Sequence, residues 1–301
     1  MNIPLFKPPR LKGKYLGKVL KSRWLTTGPM CERLKEALAQ KFNWDKDLIV
    51  LANSATAGWQ AILDHTPSPV WQRWDTFVSM RDAQDAHVEQ EMPGWEQINV
   101  RTFVGGLEDI PEWPYAGLRV ADCTHLGHPW TDVDYSLLSF YPTKPIPGAE
   151  GGAVFCKVRE DADRLAKLVD CGFGSQPRDY RTRCWGRKAN MTDVQAAFAL
   201  EALEISDEYM AGLKEAWGRM LEEHCRFNYI PGSSFVDVGR RPYLFQLVLP
   251  GNRPIPEVQK MLPFPTGWHF PPNRRLTLPM WPNMLGSVIK KIFNELEKLE
   301  L

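Results

Sequence analysis

Six short apolar runs in the first half of the chain constrain the fold more than any other feature. They lie at 48–52 (Leu-Ile-Val-Leu-Ala), 76–80, 97–104, 118–121, 136–140 and 152–156. Each has strand length, and several carry no alternation, as expected of strands covered on both faces. Helical patterns accompany them. Residues 31–42 place Leu34, Ala37, Leu38 and Phe42 at helical spacing, 53–63 read as a turn opening a helix, and 159–170 as a charged helix. Strands alternating with helices predict an α/β fold with a mostly parallel central sheet flanked by helices.

The second half changes character. Thr192-Asp-Val-Gln195 has the form of a capping box and predicts a long helix reaching about residue 226. Pro231-Gly232 then breaks the chain, 243–249 reads as a strand ended by Pro250-Gly251, and a helix is expected at about 285–300. The long helix is the natural hinge between a large domain, 1–205, and a smaller C-terminal α+β domain, 206–301.

Bulk properties exclude several classes. The 301 residues are 44% hydrophobic and 24% charged, with a net charge of +1, so no broad attraction to nucleic acid or anionic membrane is expected. No apolar run reaches membrane-spanning length, and the N-terminus is too poor in apolar residues for a secretory signal. The six cysteines (31, 123, 156, 171, 184, 225) form no CxxC pair, which argues against a zinc site or disulfide framework and fits a reducing cytoplasm.

Four segments carry chemistry. Ser139-Phe-Tyr-Pro-Thr-Lys144, followed by Pro-Ile-Pro-Gly-Ala-Glu-Gly-Gly152, sets a lysine between an apolar run and a glycine-rich turn. Partial burial there disfavours the ammonium form, and a free amine can condense with a carbonyl; a plain loop lysine is the simpler alternative. Ser54-Ala55-Thr56 at a strand-to-helix turn offers N–H groups and hydroxyls to a phosphate, although Ser there also serves as an ordinary N-cap. Asp122 in Val120-Ala-Asp-Cys-Thr-His125 ends a buried strand, where a carboxylate needs a cation or a capping role. Lys188-Ala-Asn190, just before the long helix, suits an anion or a solvated loop.

In this order the segments resemble the DegT/DnrJ/EryC1/StrS sugar aminotransferases, fold-type I enzymes that use pyridoxal 5'-phosphate. Leu20-Lys-Ser-Arg-Trp-Leu-Thr-Thr-Gly-Pro29 is similar to the family's opening segment and Leu276-Thr-Leu-Pro-Met-Trp-Pro282 to its late signature. The resemblance implies Lys144 as the Schiff-base lysine and Asp122 as the acid on the pyridine nitrogen. It places His125 near the cofactor's phenolic oxygen. Ser54, Ala55, Thr56 and Ser139 become phosphate contacts, and Lys188 and Asn190 become groups reaching a neighbouring subunit's phosphate. It further implies a cytoplasmic homodimer with interfacial sites, an amino-acid donor such as glutamate, and a keto-sugar acceptor carried on a nucleotide. The chain departs from the family in three places. It is shortened between the phosphate turn and Asp122, it has Arg23 where glycine is common, and it has Gln84 or His87 where an aromatic normally stacks on the cofactor ring. These departures leave two other readings open, a non-catalytic dimeric scaffold and an enzyme acting on a smaller, non-sugar ketone.

Overall fold

The computed structural model describes residues 3–66, 98–102, 118–173, 181–227, 233–235, 244–250, 254–266 and 275–299. The expected strand at 76–80, together with Gln84 and His87, lies outside the described residues. The chain divides into two units, one formed mainly by Arg10–Phe103 and Asp109–Ser206, the other by Met1–Pro9 and Asp207–Leu301.

The first unit contains helices α1 (Leu16–Ser22), α2 (Pro29–Phe42), α3 (Ala55–His65) and α4 (Arg159–Val169), and strands β1 (Ile49–Ala52), β2 (Ile98–Thr102), β3 (Leu118–Asp122), β4 (Tyr135–Ser139) and β5 (Gly152–Cys156). The sheet order is β1-β5-β4-β3-β2. β2, β3 and β4 pair in parallel, while β5 is antiparallel to both β1 and β4. Four strands therefore point the same way and β5 alone is reversed. Every residue of β1, β4 and β5 is buried, which explains their continuous apolar runs. On one face, Val50, Leu137 and Val154 pack with Ile62 of α3 and Leu165 of α4. On the other, Phe42 of α2 meets Phe155 edge-on at 5.9 Å between ring centroids. Fully burying Ile62, Leu165 or Leu137 contributes roughly 1.5–3 kcal/mol each.

Leu48, read as the start of a strand, instead ends a short 3₁₀ turn. The Asp45 carboxylate accepts the Asp47 N–H at 2.9 Å and holds that turn. The capping box forms as expected: Thr192 Oγ1 accepts the Gln195 N–H at 3.2 Å, and Gln195 Oε1 accepts the Thr192 N–H at 3.1 Å. It opens α5 (Asp193–Phe227).

In the second unit, strands β6 (Ser234–Phe235), β7 (Phe245–Val248) and β8 (Arg275–Leu278) form an antiparallel sheet in that order. Helix α6 (Ile255–Met261) is short. Helix α7 (Gly286–Glu297) buries Ile289, Ile292, Phe293 and Leu296, the spacing of one helical face. Phe293 stands edge-on to Phe245 at 6.2 Å.

One buried carboxylate ties distant parts of the first unit together. Helix α2 begins after Gly28, which offers no side-chain cap. Asp193, the first residue of α5, takes that role: its two oxygens accept the N–H groups of Met30 (3.0 Å) and Cys31 (2.9 Å). Asp193→Ala should leave both donors buried and unmatched. Urea unfolding is expected to show a loss of about 3 kcal/mol, with Asp193→Asn, which keeps one acceptor, losing less.

Candidate active site

β3 ends at Asp122, and the chain turns at once: the Leu126 and Gly127 N–H groups both bond to the Cys123 carbonyl at 3.0 Å. Asp122 Oδ1 accepts the Thr124 N–H at 3.0 Å, which fixes the carboxylate at the strand end. A second turn follows β4, where the Lys144 N–H bonds to the Tyr141 carbonyl at 2.9 Å. The two turns meet at Gly127, which has φ +68°, and a Cβ there would lie 2.4 Å from Pro145 Cβ. Only a residue without a side chain lets the Pro145 ring approach so closely. The packing brings His125 and Lys144 together, and Lys144 Nζ is hydrogen-bonded to His125 Nε2.

Both side chains are buried, Lys144 with 9% of its surface exposed. Burial lowers the Lys144 pKa from its ordinary 10.5 to about 8, and the nearby Asp122 carboxylate opposes part of that fall. The site thus holds an amine that is substantially neutral just above physiological pH.

The turn Asn53–Thr56, between β1 and α3, lies at the same end of the sheet. Ala52, Gly152 and Ser139 are register partners in a row across β1, β5 and β4, a span of about 10 Å at the usual interstrand spacing. Ser54 caps α3 by accepting the Ala57 N–H at 3.1 Å. The N–H groups of Ala55 and Thr56 belong to the first turn, where a helix offers donors to an anion. The α3 N-terminus packs directly against Gly152, where a Cβ would fall 2.5 Å from Ala55 N and 2.6 Å from Ala55 Cα. Gly152 therefore lets the helix N-terminus pack against β5, the strand next to Ser139, whose Oγ accepts the Tyr141 N–H at 3.3 Å.

Asp122, His125 and Lys144 thus form one buried cluster, with Ser54, Ala55, Thr56 and Ser139 along the same strand ends. Lys188 and Asn190 make other contacts. Lys188 Nζ, mostly exposed, pairs with Asp170 Oδ1 at 3.2 Å, and Asn190 Nδ2 bonds to Thr27 Oγ1. Asn190 also bridges to Ala52, and Gln195 Nε2 donates to the Asn53 carbonyl at 3.1 Å, so the segment around the start of α5 buttresses the turn before α3. Sequence reasoning missed this supporting role of Gln195 and the packing roles of Gly127 and Gly152. Gly152 was legible only as part of a glycine-rich turn and Gly127 carried no local signal, because the atoms they make room for come from distant segments.

Comparisons with known proteins bear on the family and the fold. Residues 122–229 match the DegT/DnrJ/EryC1/StrS aminotransferase family, so the resemblance read from the sequence is borne out over the segment that holds Asp122, His125, Ser139 and Lys144. A dTDP-4-amino-4,6-dideoxy-D-glucose transaminase of Shigella dysenteriae is 32% identical over 83 residues, which are 28% of this chain and 22% of that relative. The match thus spans about a fifth of the relative's length. Among solved structures, the aminotransferase TlmJ from Streptoalloteichus hindustanus superposes with a TM-score of 0.79 at 15% identity, covering 98% of both chains. The PMP form of the putative sugar aminotransferase Spr1654 from Streptococcus pneumoniae superposes at 0.76 with 16% identity, covering 99% of this chain and 97% of that one. The fold is that of the aminotransferases.

Two outcomes follow from the geometry. Gly152→Ala should push the α3 N-terminus off β5, costing about 1–3 kcal/mol of stability and weakening inorganic phosphate binding measured by calorimetry. The rate at which Lys144 captures an aldehyde, trapped with borohydride and read by mass spectrometry, should rise through a midpoint near pH 8. In Asp122→Asn that midpoint should move lower, because the carboxylate is the group that favours the ammonium form.

Proposed function

We propose that this chain is a pyridoxal phosphate-dependent aminotransferase that moves an amino group from an amino acid, glutamate being the expected donor, to a keto sugar carried on a nucleotide. The observation that carries this reading is the buried Lys144 amine, its pKa lowered to about 8, held against His125 beside the Asp122 carboxylate.

The residues fit the cofactor. The α3 N-terminus, packed against Gly152, suits its phosphate, with Ser54, Ala55, Thr56 and Ser139 as contacts. Asp122, fixed at a strand end, suits a protonated ring nitrogen, and Lys144 Nζ is the amine for its carbonyl carbon. When bound, the cofactor supplies an electron sink that stabilises negative charge at the donor's Cα. The protein's own work is acid–base chemistry and positioning. With the cofactor bound, Lys144 Nζ would take the Cα proton of the donor and return a proton to complete the transfer, a role that a pKa near 8 suits in both directions. His125, bonded to Nζ, fixes the amine's position. Asp122 keeps a proton on the ring nitrogen so that the sink stays effective. On the family resemblance we also assign Lys188 and Asn190 to the phosphate site of a second subunit.

The names of the relatives support the sugar acceptor: one is a dTDP-amino-sugar transaminase and another a putative sugar aminotransferase. The test is spectroscopic. The purified protein mixed with pyridoxal phosphate should develop a visible absorbance band. Stoichiometric glutamate should convert it to a near-ultraviolet band with release of one equivalent of 2-oxoglutarate. Lys144→Ala should show neither the band nor turnover. A Lys144→Ala protein that still turns over would sink the proposal, as would a wild-type protein that gives no band at saturating cofactor.

A further inference from the structure

Residues 187–190 form a short extended stretch that is bonded along both edges. On one side the Arg187 N–H donates to the Leu168 carbonyl at 2.7 Å, the Cys171 N–H to the Arg187 carbonyl at 2.8 Å, and the Ala189 N–H to the Val169 carbonyl at 2.8 Å. On the other side the Asn53 N–H donates to the Ala189 carbonyl at 2.7 Å, and Asn190 bridges to Ala52. Side chains of an extended stretch alternate between its two faces. Arg187 pairs with Asp64 of α3, and Ala189 is buried in the same core as Ile62, so these two lie on the α3 side. Lys188 and Asn190 lie on the opposite face.

One carboxylate shares that opposite face. Asp170 stands directly across from Lys188 in the antiparallel pairing. The flanking bonds, from Cys171 N–H to Arg187 and from Ala189 N–H to Val169, make this a non-hydrogen-bonded pair, the position at which opposed side chains come closest. Asp170 Oδ1 lies 3.2 Å from Lys188 Nζ. Local electrostatics do not favour an acid at this position. Asp170 is the C-cap of α4, where it faces the negative end of the helix dipole. An exposed ion pair adds little to stability, so neither the helix nor the fold gains much from the carboxylate. What it does act on is the Lys188 ammonium.

We infer that Asp170 is a positioning residue for the cofactor site of a second subunit, holding Lys188 Nζ in place for the phosphate there. The inference rests on the assignment of Lys188 to that site under the proposed function. A long, exposed lysine samples many rotamers, and fixing them at the moment of binding costs affinity. The strand register and the ion pair remove much of that freedom beforehand. An ammonium carries three N–H donors. Asp170 takes one, and two remain for phosphate oxygens. The carboxylate also repels the phosphate, but water and salt weaken that repulsion at an exposed pair. Arg187 cannot take over, because it lies on the α3 side and is paired with Asp64. Asn190 is held in the same manner, its Nδ2 donating to Thr27 Oγ1, so each of the two groups assigned to the second subunit is oriented by a partner in its own chain.

The experiment titrates pyridoxal phosphate into the full chain at physiological salt and reads affinity from the visible band that Lys144 forms with it. Asp170→Asn should weaken binding about fivefold with unchanged thermal unfolding, and should add no further loss in a Lys188→Gln background. Asp170→Glu, which keeps the charge, should recover most of the loss. Hybrid dimers show in which subunit the effect falls. A Lys144→Ala/Asp170→Asn subunit paired with a wild-type one leaves a single reporting site, served by the altered subunit's Lys188, and its affinity should fall. A Lys144→Ala subunit paired with an Asp170→Asn one leaves a reporting site served by an intact Asp170–Lys188 pair, and its affinity should match that of Lys144→Ala paired with wild type. Three results would each overturn the inference: Asp170→Asn binding as tightly as wild type or more tightly, a full additional loss in the Lys188→Gln background, or equal losses in the two hybrids. No visible band from the wild-type protein overturns the proposed function itself. A wild-type band with unimpaired binding by Lys188→Gln removes Lys188 from the second subunit's site; either result takes this inference with it.

Discussion

The first unit depends on a carboxylate that belongs to one helix and caps another. Asp193 opens α5, yet both its oxygens are spent on the N-terminus of α2. A carboxylate with 2% of its surface exposed would be costly alone. Here two N–H donors and the positive end of the α2 dipole offset that cost. Neighbouring bonds extend the junction. Asp193 N–H donates to the Thr26 carbonyl at 3.1 Å, Thr27 Oγ1 to the Met191 carbonyl at 2.6 Å, and Asn53 N–H to the Ala189 carbonyl at 2.7 Å. The segment before α5 therefore fixes both the approach to α2 and the turn before α3. The turn before α3 is positioned by residues some 140 positions away, and its precision rests on this junction more than on local sequence.

Opposing effects set the chemistry of Lys144. Burial favours the neutral amine and Asp122 favours the ammonium; the net fall from 10.5 to about 8 shows that burial wins. The difference corresponds to about 3 kcal/mol against the charged form. The cost has a definite pH window. Below about pH 8 the lysine is charged in both folded and unfolded chains, and folding bears the full penalty. Between about 8 and 10.5 the unfolded chain binds more protons than the folded one, so stability rises with pH. A site that keeps its amine reactive near neutrality thus does so at some expense of stability there. Such trades are common at functional sites.

Much of this was legible in the sequence, and the part that was not has physical causes. The strands β1, β3, β4 and β5 announced themselves because they are buried on both faces, and α5 because its capping box is a local device that closes within four residues. The reversal of β5 was not legible, since an apolar run carries no direction and only its neighbours assign one. Helix α1 was missed because seven residues leave too few turns for a periodic signal. Asp193 stood in plain view as part of the capping box, but its partners lie about 160 positions earlier, and nothing local says that its side chain turns away from its own helix. The site showed the same division. The expected place of Asp122 at a strand end and of Lys144 in the segment after β4 could be read locally, whereas the contact of Lys144 with His125 depends on how two turns pack.

That packing rests on missing atoms. Gly127 admits the Pro145 ring and Gly152 admits the α3 N-terminus, each at distances no side chain would permit. The first brings the turn after β3 against the turn after β4, which joins His125 to Lys144. The second brings the α3 donors to the end of β4, where Ser139 stands. Each glycine adjoins the functional groups in sequence or in register but contributes no chemistry to them. Enlarging either would move whole backbone segments, because the atoms in the way belong to a proline ring in one case and to main chain in the other, and neither can yield by changing rotamer. The Lys144 amine, the Asp122 carboxylate and the turn before α3 are therefore held in one frame. Their mutual geometry is set by close approach of backbone, which a single methyl group is enough to disturb.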